Sequence, residues 1–193
     1  WLAASTREGE EALLLDAWQG VAATRALLVL VPRHPQRFTE VATLLAQRGM
    51  EFMQRSRGLP VKTTKVWLGD SMGEMAAYFT LADIAFIGGS LLPLGGQNLI
   101  EAASCGCPVL VGPHTFNFLQ ATDDAIAAGA AHRVADAAGV IEAIIESLAD
   151  RPGLQEMRIA ARRFAANHRG ASERTLAVIR SAAIEPPPDR AAR

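Results

Sequence analysis

Short, mostly apolar runs alternate along this chain with segments whose apolar residues return every three or four positions, and loops carrying Gly, Pro and charged residues separate the two. The run at 27–31 has the length and composition of a strand buried on both faces, as in parallel sheets, and Pro32 closes it. Further strands are predicted at 51–54, 65–68, 83–87, 108–111 and 131–134. Between them Phe38, Val41, Leu44 and Leu45 recur at helical spacing up to a stop at Gly49. A helix is expected from a cap at Asp70 or Ser71 through Leu81, another from near Asn98 to Gly106 with Pro108 just beyond, and another over 118–128. At the start, Ser5 and Thr6 followed by Glu8, Glu10 and Glu11 predict a helix running to about Gly20, because hydroxyl caps and early carboxylates suit a first turn.

From Asp136 the pattern is helical: Val140, Ile141, Ile144, Ile145 and Leu148, then Leu154, Met157, Ala161, Phe164 and Ala165, then Leu176 and Ile179. Strands alternating with helices predict an α/β domain, a Rossmann-like parallel sheet with helices on both faces. The 193 residues suffice for one substantial core. One domain is expected over 1–183, with 184–193, which include three consecutive prolines, as a tail. The chain begins at Trp1 in sequence that already reads as structured, the expectation for a domain of a longer protein.

Charge and cysteine content narrow the function. A formal net charge of -1 offers no basic excess for a nucleic-acid partner. Cys105 and Cys107 are one residue apart, poor geometry for a disulfide framework and in keeping with a reducing compartment. No apolar stretch approaches the roughly 20 residues needed to span a bilayer. Cys105, Cys107 and His114 lack paired metal-ligand spacing, so no metal site is expected. Asp123–Asp124 is not an Asp-x-Asp cation motif, and GxGxxG, P-loop and GxSxG patterns are missing. No cofactor is therefore expected.

Three segments remain, each at the end of an expected strand: PRHPQRF at 32–38, GDSMGEM at 69–75, and the long Gly-rich stretch at 88–118. Ligands of open α/β sheets bind at the carboxyl ends of strands, so the three together predict one composite nucleotide site. Arg33, between two prolines, suits a phosphate oxygen or else a surface ion pair. In GDSMGEM, backbone amides near Gly73 could face an anion or a base edge, or Glu74 could serve only its helix. In the third segment Gly88 and Gly89 allow close backbone approach and Gly95 and Gly96 a tight turn. Asn98 and Glu101 have the spacing of a capping box, and Glu101 could equally accept both hydroxyls of a ribose.

PRHPQRF, GDSMGEM, GGSLLPLGGQN and GPHTFNF together resemble the C-terminal half of 3-deoxy-D-manno-octulosonic acid (Kdo) transferases, and the likeness runs from ASTREGEE at 4–11 to about residue 180. The resemblance implies a glycosyltransferase-B architecture of which this chain is the C-terminal, CMP-sugar-binding domain. It places CMP contacts on Pro32 and Arg33, on Met72, Gly73 and Glu74, and on Asn98, Leu99, Ile100 and Glu101. It further implies inverting, metal-independent transfer of Kdo from CMP-Kdo to a lipid A precursor in lipopolysaccharide assembly. The general base and acceptor site would lie in an N-terminal domain absent from this chain, so no catalytic residue is expected here. The full-length protein would work at the cytoplasmic face of the bacterial inner membrane, this domain itself being soluble, and the last helix, 171–183, would reach toward the missing half. The sequence departs from the family at Gln97, where His is usual, and at Leu99 and Ala102, where the family commonly has Pro. Two other readings stay open from the residues alone: half of a UDP-sugar glycosyltransferase or epimerase, and a stand-alone nucleotide-binding regulatory module.

Overall fold

The computed structural model describes residues 1–21, 25–168 and 175–180. Seven strands form one sheet: β1 (Leu2–Thr6), β2 (Leu28–Pro32), β3 (Phe52–Gln54), β4 (Val66–Leu68), β5 (Ala85–Ile87), β6 (Val109–Val111) and β7 (Ala131–Arg133). Their order is β3-β4-β2-β1-β5-β6-β7, and every pairing is parallel. The helices are α1 (Glu10–Gln19), α2 (Phe38–Gln47), α3 (Met75–Leu81), α4 (Ile100–Ser104), α5 (Leu119–Ala127), α6 (Ala137–Ala149) and α7 (Arg151–His168). The expected Rossmann-like sheet with helices on both faces is what forms.

Strand alternation divides the core in two. Ala3, Leu28, Leu30, Val66, Leu68, Phe86 and Leu110 pack against α1, α2 and α6, while Leu2, Ala4, Val31, Trp67, Ala85, Ile87, Val109 and Val111 pack beneath α3, α4 and α5. Successive strand residues point to opposite faces, so a strand buried on both sides must be apolar throughout, which is why these runs could be read from the sequence. Helix α7 joins both clusters, with Leu154 in the first and Ala161, Phe164 and Ala165 in the second. Burial pushes the Cys107 thiol, just before β6, up to about 12, so it behaves as a small apolar core residue.

Two expectations are corrected at the strand exits. Ser5 and Thr6 do not start a helix; they end β1, the strand at the centre of the sheet, and α1 begins at Glu10 after Gly9, whose φ is 88°. The strand is only five residues, two of them alanine and two hydroxylic, so its apolar signal is short and its end imitates a cap. Likewise α3 starts at Met75 rather than at Asp70 or Ser71, because the Asp70 carboxylate is occupied by the Ser56 amide and hydroxyl and by Gln54. Of the expected final helix, residues 175–180 are helical and exposed. The rest of 171–183, together with the expected tail at 184–193, lies outside the described residues.

The exits of β1 and β5 nearly touch. The Gly88 amide donates to the Ala4 carbonyl at 2.8 Å, and a Cβ at Gly88 would lie 2.5 Å from the Ser5 carbonyl oxygen and 2.7 Å from the Thr6 nitrogen. Those atoms are backbone in a paired strand and cannot move aside. Gly88→Ala is therefore expected to lower stability by about 1–3 kcal/mol, read as a shift in the urea midpoint without a change in slope; an unchanged midpoint would contradict this approach of the two exits.

Candidate functional site

The chain leaves β1 for β2, β3 and β4 on one side, then crosses back to β5 on the other. The switch in direction falls between β1 and β5, where diverging connections open a crevice at the carboxyl ends of the strands. A cleft of about 220 Å³ occupies this place, floored by Ala4, Ile87, Met75 and Phe79 and rimmed by Ser5, Arg33, Gln97, Asn98 and Glu101. Ser5 is the only described non-glycine residue with positive φ, 55°, and the β1–β2 register shifts beside it, between Ala4 and Thr6. Strain of this kind in an over-determined backbone is characteristic of ligand sites.

Two buried carboxylates hold the crevice open. The Glu10 side chain, fully buried, accepts from the amides of Gly89 at 2.6 Å, Leu91 at 2.9 Å and Arg7 at 2.9 Å, so the start of α1 carries the loop after β5. Its neighbour Glu11, also buried, accepts from the Thr6 hydroxyl at 2.8 Å and from Arg37 Nη1 at 3.0 Å on both oxygens. Burial pushes the Glu11 carboxyl above its ordinary range, against the opposing pull of Thr6 and Arg37. Arg37 also binds Glu40 at 3.0 Å, so its charge is committed to the fold. By sequence Glu10 and Glu11 are carboxylates of a helix first turn; their partners Arg37, Gly89 and Leu91, 26 to 81 positions away, carry no local signal.

The residues expected to bind a nucleotide divide by position. Arg33, Asn98 and Glu101 meet at the one cleft. The Arg33 amide donates to the Thr6 carbonyl at 2.9 Å, its side chain is exposed, and among the described residues its guanidinium has no partner. Pro32 ends β2 in register with Thr6 and is buried. Leu99 is buried in the core and Ile100 packs against it, so only their backbones could reach a ligand. The loop carrying Met72, Gly73 and Glu74 lies outside the cleft and adjoins it through Met75.

The expected capping box is absent from α4. Asn98 Oδ1 accepts from the Ile100 amide at 3.0 Å, a local turn, the cap position is Leu99, and the Glu101 side chain faces the cleft instead. At five residues α4 is also shorter than expected, so its dipole contributes little. Glu74 is not a simple helix carboxylate: it accepts from the Ser71 hydroxyl and forms a 2.9 Å ion pair with Arg55. These partners, Ser71 first, hold its carboxyl below the usual range. The sequence singles out Gln97 only as a departure from the family pattern and Ser5 only as a cap, and it gives no signal for Arg55.

A larger cavity, about 610 Å³, lies at the opposite end of the sheet, beside Trp1, Leu27 and Asp83, which precede β1, β2 and β5. Its lining is mainly apolar; of its two arginines, Arg25 and Arg151, the second is paired with Asp83, and no glycine loop or strand exit accompanies them. Among the described residues no cluster of three or more His, Cys, Asp or Glu could hold a metal ion, and no helix is long and apolar enough to cross a membrane.

No protein-family model matches the chain. It is 49% identical over 180 residues to the 3-deoxy-D-manno-octulosonic acid transferase of Bordetella pertussis, covering 90% of this chain and 42% of that protein. The Haemophilus influenzae enzyme of the same name is 37% identical over 184 residues, covering 93% and 43%. The chain thus spans less than half the length of these relatives. Among solved structures, the C-terminal CMP-Kdo binding domain of WaaA from Acinetobacter baumannii superposes with a TM-score of 0.79 at 33% identity, covering 84% of this chain and 86% of that one. With that domain matched over nearly its whole length, the chain belongs to the 3-deoxy-D-manno-octulosonic acid transferase family, in which it corresponds to the C-terminal domain.

Proposed function

We propose that this chain is the donor-binding half of a Kdo transferase, which moves Kdo from CMP-Kdo to a lipid A precursor in lipopolysaccharide biosynthesis. The observation that carries the reading is the convergence of Arg33, Asn98 and Glu101 on one cleft at the switch point of the sheet. An unpaired guanidinium there suits a phosphate oxygen. The Glu101 carboxylate, with no hydrogen-bonding partner for its side chain among the described residues, suits the two hydroxyls of a ribose. The loop at Met72, Gly73 and Glu74, pinned by Arg55 and Ser71, borders the cleft where a base would extend.

The chemistry left to this half is donor binding and stabilisation of charge on the departing CMP, chiefly by Arg33. Transfer is inverting and metal-independent. The general base that deprotonates the acceptor hydroxyl, and the acceptor site itself, belong to an N-terminal domain outside this chain. The donor domain is the unit built by the described residues up to His168. The full-length enzyme works at the cytoplasmic face of the inner membrane, and its membrane contact lies in the other half.

Calorimetric titration with CMP, UMP and UDP tests this reading. CMP is expected to bind selectively, and Arg33→Ala and Glu101→Gln are each expected to weaken it by about tenfold or more, the size of one lost hydrogen bond to a charged group. No preference for CMP, or binding indifferent to both changes, would overturn the site. With labelled CMP-Kdo and a lipid A precursor, the chain alone is expected to transfer no Kdo; turnover would show that the base lies within it.

A further inference from the structure

The acidic sugar of the proposed donor poses a charge problem that Arg33 alone does not solve. In a CMP-linked 2-ulosonic acid, the anomeric carbon bears both the phosphate ester and the carboxylate, so two anions are held a few ångströms apart. Each needs a donor group once it leaves water. Around the cleft most cations are already taken: Arg37 is held by Glu11 and Glu40, and Arg55 by Glu74. On the exits of β1 and β2, Arg7 and Arg33 are left with no partner for their guanidinium groups among the described residues.

Arg7 is placed as such a second cation should be. The Arg33 amide donates at 2.9 Å to the carbonyl of Thr6, the residue directly before Arg7, so the two arginines leave adjacent exits of paired strands. Neighbouring strands lie about 4.8 Å apart, so side chains leaving adjacent exits start close enough to reach two anions borne on one carbon. The Arg7 main chain is fixed from both ends: its amide donates to Glu10 at 2.9 Å, and its carbonyl accepts from the Glu10 amide at 3.0 Å. Its half-buried side chain runs along Gly89, where a Cβ would meet Arg7 Cγ at 3.5 Å and Gln97 Nε2 at 3.3 Å. Gln97 itself rims the cleft. The Arg7 main chain is thus anchored on a buried carboxylate, and the stem of its side chain lies beside a residue that rims the cleft.

We infer that Arg7 binds the carboxylate of the sugar acid while Arg33 binds the phosphate, so that Arg7 selects an acidic sugar over a neutral one. The inference rests on the donor-site reading above, and it assigns Arg7 to substrate specificity. A planar guanidinium meeting a carboxylate through two parallel N–H bonds also fixes the orientation of the anomeric carbon.

The test compares CMP with CMP-Kdo by calorimetric titration of this chain, in the unmodified form and as Arg7→Ala, Arg7→Gln and Arg33→Ala. Thermal unfolding is followed for each, and Arg7→Gln, which keeps most of the stem, stands in should the alanine variant fold poorly. The unmodified chain is expected to bind CMP-Kdo more tightly than CMP. Either Arg7 change should cut that preference ratio by about tenfold, whereas Arg33→Ala should weaken both ligands together. A preference that survives both Arg7 changes, or its absence in the unmodified chain when CMP still binds, overturns the assignment of Arg7 and leaves the nucleotide site standing. Failure to bind CMP at all overturns the nucleotide site and this inference with it.

Discussion

Everything at the carboxyl end of the sheet depends on two carboxylates with no exposure to water. Glu10 ties the loop after β5 to the start of α1, and Glu11 ties the exits of β1 and β2 through Thr6 and Arg37. An ionised group in such a place must be fully hydrogen-bonded, and here backbone amides and one guanidinium meet that need. The three exits that carry the cleft are thereby locked to one another. Removing either acid would leave buried donors facing nothing, a larger penalty than the bonds were worth as stabilisation. The arrangement explains why a polar cleft can be rigid although its own side chains have few mutual contacts.

The same geometry separates two kinds of arginine. Arg37 and Arg55 are spent on structure, one holding Glu11 and the other fixing Glu74 in the neighbouring loop. Arg7 and Arg33 have their backbones fixed and, among the described residues, no partner for their charges. A fixed main chain limits what an arriving anion must order to the two arginine side chains themselves. For the proposed donor, with two anions on one carbon, the counterparts are these two arginines at adjacent strand exits.

Much of the fold was legible because strands buried on both faces must be continuous apolar runs: 27–31, 83–87 and 108–111 were read to within two residues of β2, β5 and β6. The strand exits were legible as well, since loops bearing Pro, Gly and Arg follow them. What could not be read was set by long-range pairing. β1 is central, yet its five residues are small or hydroxylic, and its sequence imitates the cap of the helix that follows. The helix expected from Asp70 or Ser71 yielded to side chains 14 or more residues upstream, and the capping box at Asn98 yielded to a tighter local turn. The buried acids look like ordinary first-turn carboxylates because three of their partners, Gly89, Leu91 and Arg37, lie in the segments after β5 and β2.

The central claim is that the donor nucleotide sits where β1, β2 and β5 end, and not in the larger cavity at the other end of the sheet. Amide chemical-shift mapping by NMR during a CMP titration tests it most directly. The account predicts saturable shifts at Ser5, Arg33, Gly89, Asn98 and Glu101, with the Trp67 indole, beside the larger cavity, unmoved. Shifts centred on Trp67, Leu27 and Asp83, with the strand exits silent, would contradict it.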